Sequence, residues 1–320
     1  MSQLIMRIIV LAERINYLLG CEMKLVFYND FIPGVVSGDN IVDISEIVNG
    51  IPHIGPGDLM SRLIQNFDQY RSSIESAEKS NSGVPITSVR LRAPVPKPGK
   101  ILCMAGNYLE NGTLKETRPI NAFLKNRDAV IGDGDTIILP PAPVTIFHHE
   151  AEAGLVFGKR ASKIKAAEAY EYVFGYVNVI DVSARGLGPE GGDGFFMGKS
   201  WHTFAPIGPY LVTADEVKDP QDLHIKLSVN GSIRQEYSTS DMGHKIPETI
   251  EWATSIATFN PGDVLFLGTN HQGLGALQDG DEVEMGIEGL GTIRLNVNEN
   301  LKRKWDTGVD RSVADRIAGR

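Results

Sequence analysis

Cysteine is scarce in this sequence, and so are long apolar runs and positive charge. Only Cys21 and Cys103 occur among the 320 residues, so a disulfide framework is not expected and the cytoplasm is the expected location. The formal net charge of −9 argues against nucleic acids and anionic membrane surfaces as partners. The apolar stretch 4–12 contains Arg7 and is too short to span a bilayer. Small anionic ligands stay open, because local Lys and Arg side chains can bind them within an acidic protein.

Turn and proline signals divide the chain into predicted segments. The proline-rich stretch 93–99 is typical of a stiff connector. It would separate a small N-terminal α+β domain, residues 23–92, from a catalytic domain, residues 93–303. Residues 1–22 are expected to be an extension that carries no chemistry. The polar tail, residues 304–320, is expected to fray.

Strand patterns outnumber helical ones along the chain. A helix is predicted from Asp58 through an apolar stripe that ends near Ile74. Further helices are predicted over 162–174 and from Pro247 to about Thr258. Asn230-Gly231 predicts a tight hairpin turn, and a second hairpin is predicted around Glu288-Gly289. The fold class predicted from these patterns is strand-dominated α+β with a mainly antiparallel sheet system.

Two glutamates lie two residues apart in one predicted strand. The stretch 145–157 is rich in β-branched and aromatic residues, which is typical of a strand. Side chains alternate along a strand, so Glu150 and Glu152 are expected on one face with His148 beside them. Neighbouring like charges are unfavourable unless a cation neutralises them. The alternative is a solvated strand face, which is common for an isolated Glu-x-Glu pair.

A third carboxylate is expected near this pair. Asp181 follows the apolar run 176–180, where a second strand is predicted to end. Three carboxylates without a thiolate form an all-oxygen ligand set, which suits Mg²⁺ or Mn²⁺ rather than Zn²⁺. The sequence therefore predicts a metal site formed by Glu150, Glu152 and Asp181.

The order and spacing of several motifs resemble those of the fumarylacetoacetate hydrolase family. The resemblance runs from about residue 23 to about residue 300 and includes Pro-Gly-Lys-Ile at 98–101, Gly-Asn-Tyr at 106–108, Glu-Ala-Glu at 150–152, Asp-Val-Ser-Ala-Arg at 181–185 and Pro-Gly-Asp-Val at 261–264. It implies a rolled β-sandwich catalytic domain with few helices and a homodimer. It also implies that the Glu-x-Glu pair and the downstream Asp bind Mg²⁺ or Mn²⁺.

The resemblance also implies roles for residues around the metal. Lys199 corresponds to a lysine beside the metal that faces the substrate, and an ammonium there would stabilise developing negative charge. Its alternative role is a salt bridge to the metal carboxylates. Arg185 corresponds to an arginine that faces the substrate and could hold a carboxylate with two hydrogen bonds. An ion pair at the surface is the alternative.

Three further residues are candidate substrate contacts by the same resemblance. Tyr108 corresponds to a tyrosine at the pocket edge, although aromatic packing alone would also explain it. Thr269 corresponds to a threonine that contacts the substrate. His271 lies beside it in a stretch, Asn-His-Gln at 270–272, that departs from the commonest family pattern.

One departure from the family concerns the general base. Hydrolytic members usually carry a histidine three residues after the Tyr of Gly-x-Asn-Tyr, paired with a glutamate on a short lid helix, and this dyad activates water. Here that position is Asn111, which cannot act as a general base. His148 and Glu110 are the catalytic candidates in its place, together with Lys199. His148 could instead be a group that orients a metal ligand.

The function implied by the resemblance is metal-dependent chemistry on a 2-oxo acid. The first hypothesis is a hydrolase that cleaves a C–C bond in an acylpyruvate-like or other β-diketo acid. The second is a lyase, decarboxylase or isomerase that forms the same enolate without activating water, which Asn111 favours. A ligand-binding protein without activity is the third, and the intact carboxylate set argues against it.

Overall fold

A computed structural model describes residues 23–80, 82–189 and 194–319. The predicted extension, residues 1–22, lies outside these residues. Among the described helices, none has the length and the apolar character needed to cross a bilayer. Strands form the larger part of the regular structure, so the predicted strand-dominated α+β class is confirmed.

The strands of the described residues are numbered in chain order. They are β1 Lys24–Tyr28, β2 Ile32–Ser37, β3 Asn40–Asp43, β4 Val84–Pro85, β5 Leu91–Arg92, β6 Ile101–Met104, β7 Ala122–Lys125, β8 Val130–Ile131, β9 Thr136–Leu139, β10 Phe147–His148, β11 Ala151–Phe157, β12 Val173–Ile180, β13 Ser183–Ala184, β14 Ala205–Thr213, β15 His224–Val229, β16 Ser232–Ser238, β17 Val264–Phe266, β18 Glu282–Ile287 and β19 Gly291–Glu299.

The described strands form two large sheets and one short ribbon. The first sheet has twelve strands, with β4-β3-β2-β1-β14-β12-β11-β17-β6-β7 as its main path. The second sheet has the order β16-β15-β18-β19-β9, and β10 pairs with β13. Most pairs are antiparallel, while β17 with β6, β19 with β9 and β14 with β8 are parallel. Both predicted hairpins, β15-β16 and β18-β19, are confirmed.

The first sheet continues from the N-terminal segment into the rest of the chain. Strand β1 pairs with β14, with Leu25 opposite Leu211. One buried apolar cluster contains Met23 and Leu63 together with Val177 and Phe266. Burial of these shared apolar surfaces is the main force that holds the two parts together. The division at residue 92 stays a prediction about domain organisation.

The helices are few and short. They are α1 Ser45–Val48, α2 Pro56–Gln65, α3 Phe67–Lys79, α4 Phe195–Lys199, α5 Ile246–Ile256 and α6 Ser312–Ile317. The helix predicted from Asp58 to Ile74 is interrupted at Asn66, whose backbone leaves the helical region and whose side-chain amide donates to Arg62 O at 2.9 Å. The helix predicted near Pro247 is confirmed as α5.

Two other sequence predictions are wrong. The helix predicted over 162–174 is a 3₁₀ segment, Ala166–Tyr172, because Val173 already pairs with Phe157 as part of β12. The tail does not fray over the part that the structure describes, since α6 buries Val313 and Ala314. Apolar contacts thus hold a segment whose composition is mostly polar.

Candidate metal centre and active site

The three predicted carboxylates meet where β11 begins and β12 ends. Ala151 lies opposite Ile180 in this antiparallel pair, and the Asp181 amide donates to Glu150 O at 2.8 Å. One carboxylate oxygen from each of Glu150, Glu152 and Asp181 lies within 4.8 Å of the other two. All three side chains are buried. The antiparallel pairing of two consecutive strands therefore builds the cluster that the sequence predicted.

Cations surround Glu150. The Lys199 ammonium donates to Glu150 Oε2 at 2.6 Å, while Arg185 Nη2 and, at 3.0 Å, Ser183 Oγ donate to Oε1. Burial alone would raise the pKa of Glu150, but Lys199 and Arg185 hold that pKa well below its usual range. Glu150 is thus a carboxylate that the protein itself keeps ionised.

Glu152 has a different environment, although it lies on the same strand. The Gly268 amide donates to its Oε2 at 2.7 Å. Its Oε1 is buried without a hydrogen-bond partner in the described part of the chain. Burial, with the nearby Asp181 and Glu150 charges, holds the pKa of Glu152 well above its usual range. Gly268 has φ +88°, so glycine suits the close approach of this backbone N–H.

Two buried lysines contact Asp181 from different sides. Lys199 Nζ donates to Asp181 Oδ2 at 2.6 Å, so this ammonium bridges Asp181 and Glu150. Burial lowers the pKa of Lys199, but Asp181 and Glu150 raise it above its usual value, and the ammonium stays charged. Lys125 Nζ donates to Asp181 Oδ1. Sequence reasoning missed Lys125, whose signal was a charged residue at the end of a short, half-buried strand.

The donor set fits a hard divalent cation. All three candidate ligands are carboxylates, and Oε1 of Glu152 is a buried acceptor without a donor among the described residues. Each carboxylate oxygen has two lone pairs, so the lysine contacts leave coordination capacity on Glu150 and Asp181. Mg²⁺ and Mn²⁺ prefer this kind of oxygen site. The salt bridge considered as an alternative role for Lys199 is present in the same structure.

His148 lies next to the carboxylates, with both ring nitrogens in hydrogen bonds. Arg185 Nε donates to Nδ1 at 3.2 Å, and Nε2 lies 2.8 Å from Asp310 Oδ2. Arginine is always a donor, so Nδ1 accepts and Nε2–H donates to Asp310. Burial and the Arg185 charge lower the pKa of His148 to about 3. The ring is therefore a neutral link between Asp310 and Arg185.

A histidine–glutamate pair lies on the other side of the site. His271 Nδ1 is 2.7 Å from Glu110 Oε1, and the His271 amide donates to Glu110 Oε2 at 2.8 Å. Glu110 is fully buried. The side chain of the neighbouring Asn111 is exposed, and its backbone amide donates to Asp241 Oδ2 at 2.9 Å. Two residues named separately from the sequence thus form one pair.

A cavity of about 640 Å³ opens beside these groups. Its wall includes the predicted residues Glu150, Lys199, Arg185, Thr269 and His271. Sequence reasoning missed other members of the wall, which come from a loop, from α4 and from the C-terminal helix: Arg118, Phe195, Val313, Arg316 and Ile317. The described residues therefore place anions, cations and apolar side chains around one space.

Tyr108 and Thr269 differ in how they relate to this cavity. The Tyr108 ring is buried edge-to-face against Tyr237, with centroids 5.0 Å apart, and is not in the described cavity wall. The Thr269 hydroxyl lines the wall but donates to Ala151 O at 2.9 Å and accepts from Gln235 Nε2 at 2.8 Å. The structure thus shows aromatic packing for Tyr108 and a structural hydrogen bond for Thr269.

Comparison with known proteins shows which protein family the chain resembles. Residues 100–298 match the model of the fumarylacetoacetate (FAA) hydrolase C-terminal domain. A maleylpyruvate hydrolase from Aquipseudomonas alcaligenes is 33% identical over 293 residues, which are 86% of this chain and 99% of that protein. A mitochondrial oxaloacetate tautomerase from Rattus norvegicus is 33% identical over 270 residues, which are 80% of this chain and 83% of that protein. These two relatives are enzymes with different reactions.

The solved structures agree with the sequence comparisons. The maleylpyruvate hydrolase of Sphingobium sp. SYK-6, in complex with manganese (II) ion and pyruvate, superposes with a TM-score of 0.78 and 34% identity. The match covers 87% of this chain and 99% of that one. The chain belongs to the fumarylacetoacetate hydrolase family, so the predicted resemblance and the predicted fold are confirmed.

Proposed function

We propose that the protein is a divalent-metal-dependent hydrolase that cleaves a C–C bond in an acylpyruvate-type 2-oxo acid. The observation that carries the proposal is a buried triad of Glu150, Glu152 and Asp181 beside a cavity that also exposes Lys199 and Arg185 to a ligand. The related maleylpyruvate hydrolase was solved with manganese (II) ion and pyruvate, which supports both the metal and the substrate class. Mg²⁺ or Mn²⁺ is the proposed cofactor.

The carboxylates and cations have separate proposed roles. Glu150, Glu152 and Asp181 would hold the metal ion, which when bound supplies a Lewis acid for the oxygens of a 2-oxo acid. Arg185 would bind the substrate carboxylate through its guanidinium. The Lys199 ammonium lies between two carboxylates, where it would stabilise negative charge that develops on the substrate.

The His271–Glu110 pair supplies the general base in this proposal. An ionised Glu110 only accepts hydrogen bonds, so His271 Nδ1–H donates to it and Nε2 keeps a lone pair for a proton. His271 would take a proton from water as the water oxygen attacks the acyl carbonyl carbon. The C–C bond to the methylene carbon then breaks, and its electron pair stays with the pyruvate part. The proton moves from His271 to that carbon, which gives pyruvate and a carboxylic acid.

His148 is a poorer candidate for the same task. Both of its nitrogens are in hydrogen bonds, with Arg185 and with Asp310, and the ring is buried. A base needs an available lone pair within reach of the proton that it removes. We therefore assign the base to His271 and an orienting role to His148.

A second candidate function is tautomerisation or decarboxylation of a related 2-oxo acid. The observation that favours it is the exposed side chain of Asn111, which lies at the position where the family resemblance leads us to expect the histidine of a dyad that activates water. The related oxaloacetate tautomerase supports it as well. In tautomerisation His271 would move a proton between substrate atoms. In decarboxylation CO₂ would leave and the remaining enolate carbon would take a proton from His271, so neither reaction adds water to the substrate. The homodimer implied by the family resemblance and the cytoplasmic location expected from the low cysteine content both stay predictions.

The test is turnover of a panel of acylpyruvates and oxaloacetate in ¹⁸O-labelled water with Mg²⁺ or Mn²⁺. Hydrolysis places heavy oxygen in the newly formed carboxylic acid and requires the metal, so a chelator abolishes it. His271→Ala should lower the hydrolysis rate by about 10²–10⁴-fold, as expected for loss of a general base. His224→Ala is the matched control, because His224 is exposed. Conversion of oxaloacetate without any labelled acid from the panel would favour the second candidate.

A further inference from the structure

The C-terminal segment, residues 305–319, is docked onto the site. Trp305 Nε1 donates to Thr145 O at 2.7 Å, and the Asp310 amide donates to Leu274 O at 2.7 Å. Helix α6 then buries Val313, and Arg316 and Ile317 reach the cavity wall. This segment lies beyond residue 298, where the match to the family model ends.

Asp310 is the residue through which this segment contacts the polar site. Its Oδ2 accepts from His148 Nε2 at 2.8 Å and from Ser312 Oγ at 2.8 Å. Its Oδ1 accepts from the Ser312 amide at 2.9 Å. One carboxylate thus stabilises the start of α6 and binds a ring that is buried beside the metal ligands.

Asp310 and Arg185 together determine which nitrogen of His148 carries the proton. With Nε2–H donating to Asp310, Nδ1 keeps its lone pair and accepts from Arg185 Nε at 3.2 Å. Arg185 also donates from Nη2 to Glu150 Oε1, so its guanidinium is held at two points. Without Asp310 the buried Nε2–H would lose its acceptor, which favours movement of the proton to Nδ1. The N–H groups of His148 and Arg185 would then face each other, and the guanidinium would turn away.

We propose that Asp310 is a positioning residue, which fixes the tautomer of His148 and thereby holds Arg185 in the orientation that binds the substrate carboxylate. The proposal rests on the proposed function for the role of Arg185. The chain of contacts itself, Asp310 to His148 to Arg185 to Glu150, is a feature of the protein without substrate. A C-terminal segment outside the family match thus completes the anion-binding side of the site.

The first test needs no activity. In protein labelled with ¹⁵N at histidine, the His148 ring should show an Nε2–H tautomer, with the resonance assigned by its loss in His148→Ala. Asp310→Ala should convert this signal towards Nδ1–H or towards a mixture of tautomers. Asp310→Asn should preserve the wild-type tautomer, because the amide oxygen can still accept from Nε2–H. An Nε2–H signal that Asp310→Ala leaves unchanged would overturn the proposal.

The second test uses hydrolysis of the best acylpyruvate from the panel. Asp310→Ala should raise KM and lower kcat/KM about 10–100-fold, the usual loss for a group that orients a ligand-binding side chain. Asp310→Asn should recover most of this loss. Ser312→Ala is the matched control, since it removes a helix-start hydrogen bond but leaves the His148 contact. Equal losses in Ser312→Ala and Asp310→Ala would overturn the proposal in favour of general loosening of α6.

A double-mutant comparison separates this proposal from the proposed function. In an Arg185→Ala background, Asp310→Ala should have little further effect on kcat/KM, because the two residues act through one contact chain. Independent, multiplicative losses would contradict the positioning role. If the wild type hydrolyses no acylpyruvate, the proposed function fails, while the tautomer measurement still decides whether Asp310 controls His148.

Discussion

Glu150 and Glu152 are two residues apart, carry the same side chain and point into the same cluster, yet their surroundings are opposite. Glu150 accepts hydrogen bonds from Lys199, Arg185 and Ser183, and its pKa lies well below the usual range. Glu152 accepts one backbone N–H, from Gly268, and its pKa lies well above that range. The protein supplies the counter-charge of one glutamate and leaves the other without it.

The difference indicates where an external cation is needed. A buried carboxylate without a paired charge is costly, and the cost falls when a metal ion binds. Lys199, Arg185 and Lys125 already offset the charges of Glu150 and Asp181. The buried Oε1 of Glu152 has no donor among the described residues, so Glu152 is the proposed ligand whose environment a bound ion would complete.

The largest expected effect comes from removing each glutamate charge in turn. Glu150→Gln and Glu152→Gln should both abolish metal-dependent turnover, by about 10³-fold or more, because each removes a ligand. Their effects on the metal-free protein should differ. Glu150→Gln removes the negative charge that Arg185 and Lys199 both contact, and it should lower the free energy of unfolding by about 3–5 kcal/mol. Glu152→Gln replaces a carboxyl group whose charged form is disfavoured without metal, and it should leave the free energy of unfolding unchanged or raise it.

Urea unfolding in the presence of a chelator measures this contrast. Equal destabilisation of both variants without metal would contradict the proposed difference between the two glutamates. Binding of Mn²⁺ by Glu152→Gln as tightly as by the wild type would contradict it as well.

The two lysines that contact Asp181 are expected to differ in role. Lys199 lines the cavity, whereas Lys125 is fully buried behind Asp181 and is not in the described wall. Lys199→Met should lower kcat by about 10²–10³-fold, as for loss of a donor to developing negative charge. Lys125→Met should mainly lower the free energy of unfolding, by about 3–5 kcal/mol. Steady-state kinetics beside chelator-treated unfolding curves check this, and a reversed pattern would assign the substrate role to Lys125.

The raised pKa of Glu152 predicts that metal binding depends on pH. Below that pKa the metal-free site holds a proton on Glu152, and the ion must displace it. Metal affinity should therefore rise with pH, by up to about tenfold per unit for one proton, and level off above the pKa. The stability of the metal-free protein should change with pH in the opposite direction to metal affinity. Because the pKa of Glu152 is raised in the folded state, its contribution to stability is present at low pH and is lost as pH rises through that pKa. Calorimetric titration of Mn²⁺ in buffers of different ionisation enthalpy measures the released proton, and Glu152→Gln should release none from this residue.

The smallest expected effect is confined to the Glu150 side. Ser183 Oγ donates to Glu150 Oε1 at 3.0 Å, a contact that Glu152 lacks. Ser183→Ala should cost about 1 kcal/mol of stability or substrate affinity, the typical net value of one hydrogen bond. Thermal unfolding with and without Mn²⁺ measures it. A change in the pH dependence of Mn²⁺ binding in Ser183→Ala would show that the two sides are not separate.

The sequence predicted the carboxylate cluster because the information is local. Glu150 and Glu152 are two residues apart, and Asp181 ends the strand that pairs with theirs. The hairpin at Asn230-Gly231 was predictable for a similar reason, since its turn chemistry is contained in two residues. The Mg²⁺ or Mn²⁺ expectation followed from ligand type and from the family resemblance, and the carboxylate cluster and a related structure support it.

The rest depended on contacts between distant residues. His271 meets Glu110 across 161 positions, and Asp310 meets His148 across 162, so no local pattern could join them. No sequence motif contains Lys125, and its contact with Asp181 depends on the packing of β7 against the end of β12. The helix predicted over 162–174 failed at its end because Val173 and Phe174, residue types that favour strands, belong to β12, which pairs with β11.

The proposed metal centre is tested most directly by locating Mn²⁺ in crystals from anomalous diffraction at the manganese edge. One strong peak per chain is expected in contact with oxygens of Glu150, Glu152 and Asp181, and no peak there in crystals of Glu152→Gln. A protein that binds Mn²⁺ elsewhere, with Lys199 still bridging Glu150 and Asp181 and no peak among the three carboxylates, would contradict the assignment.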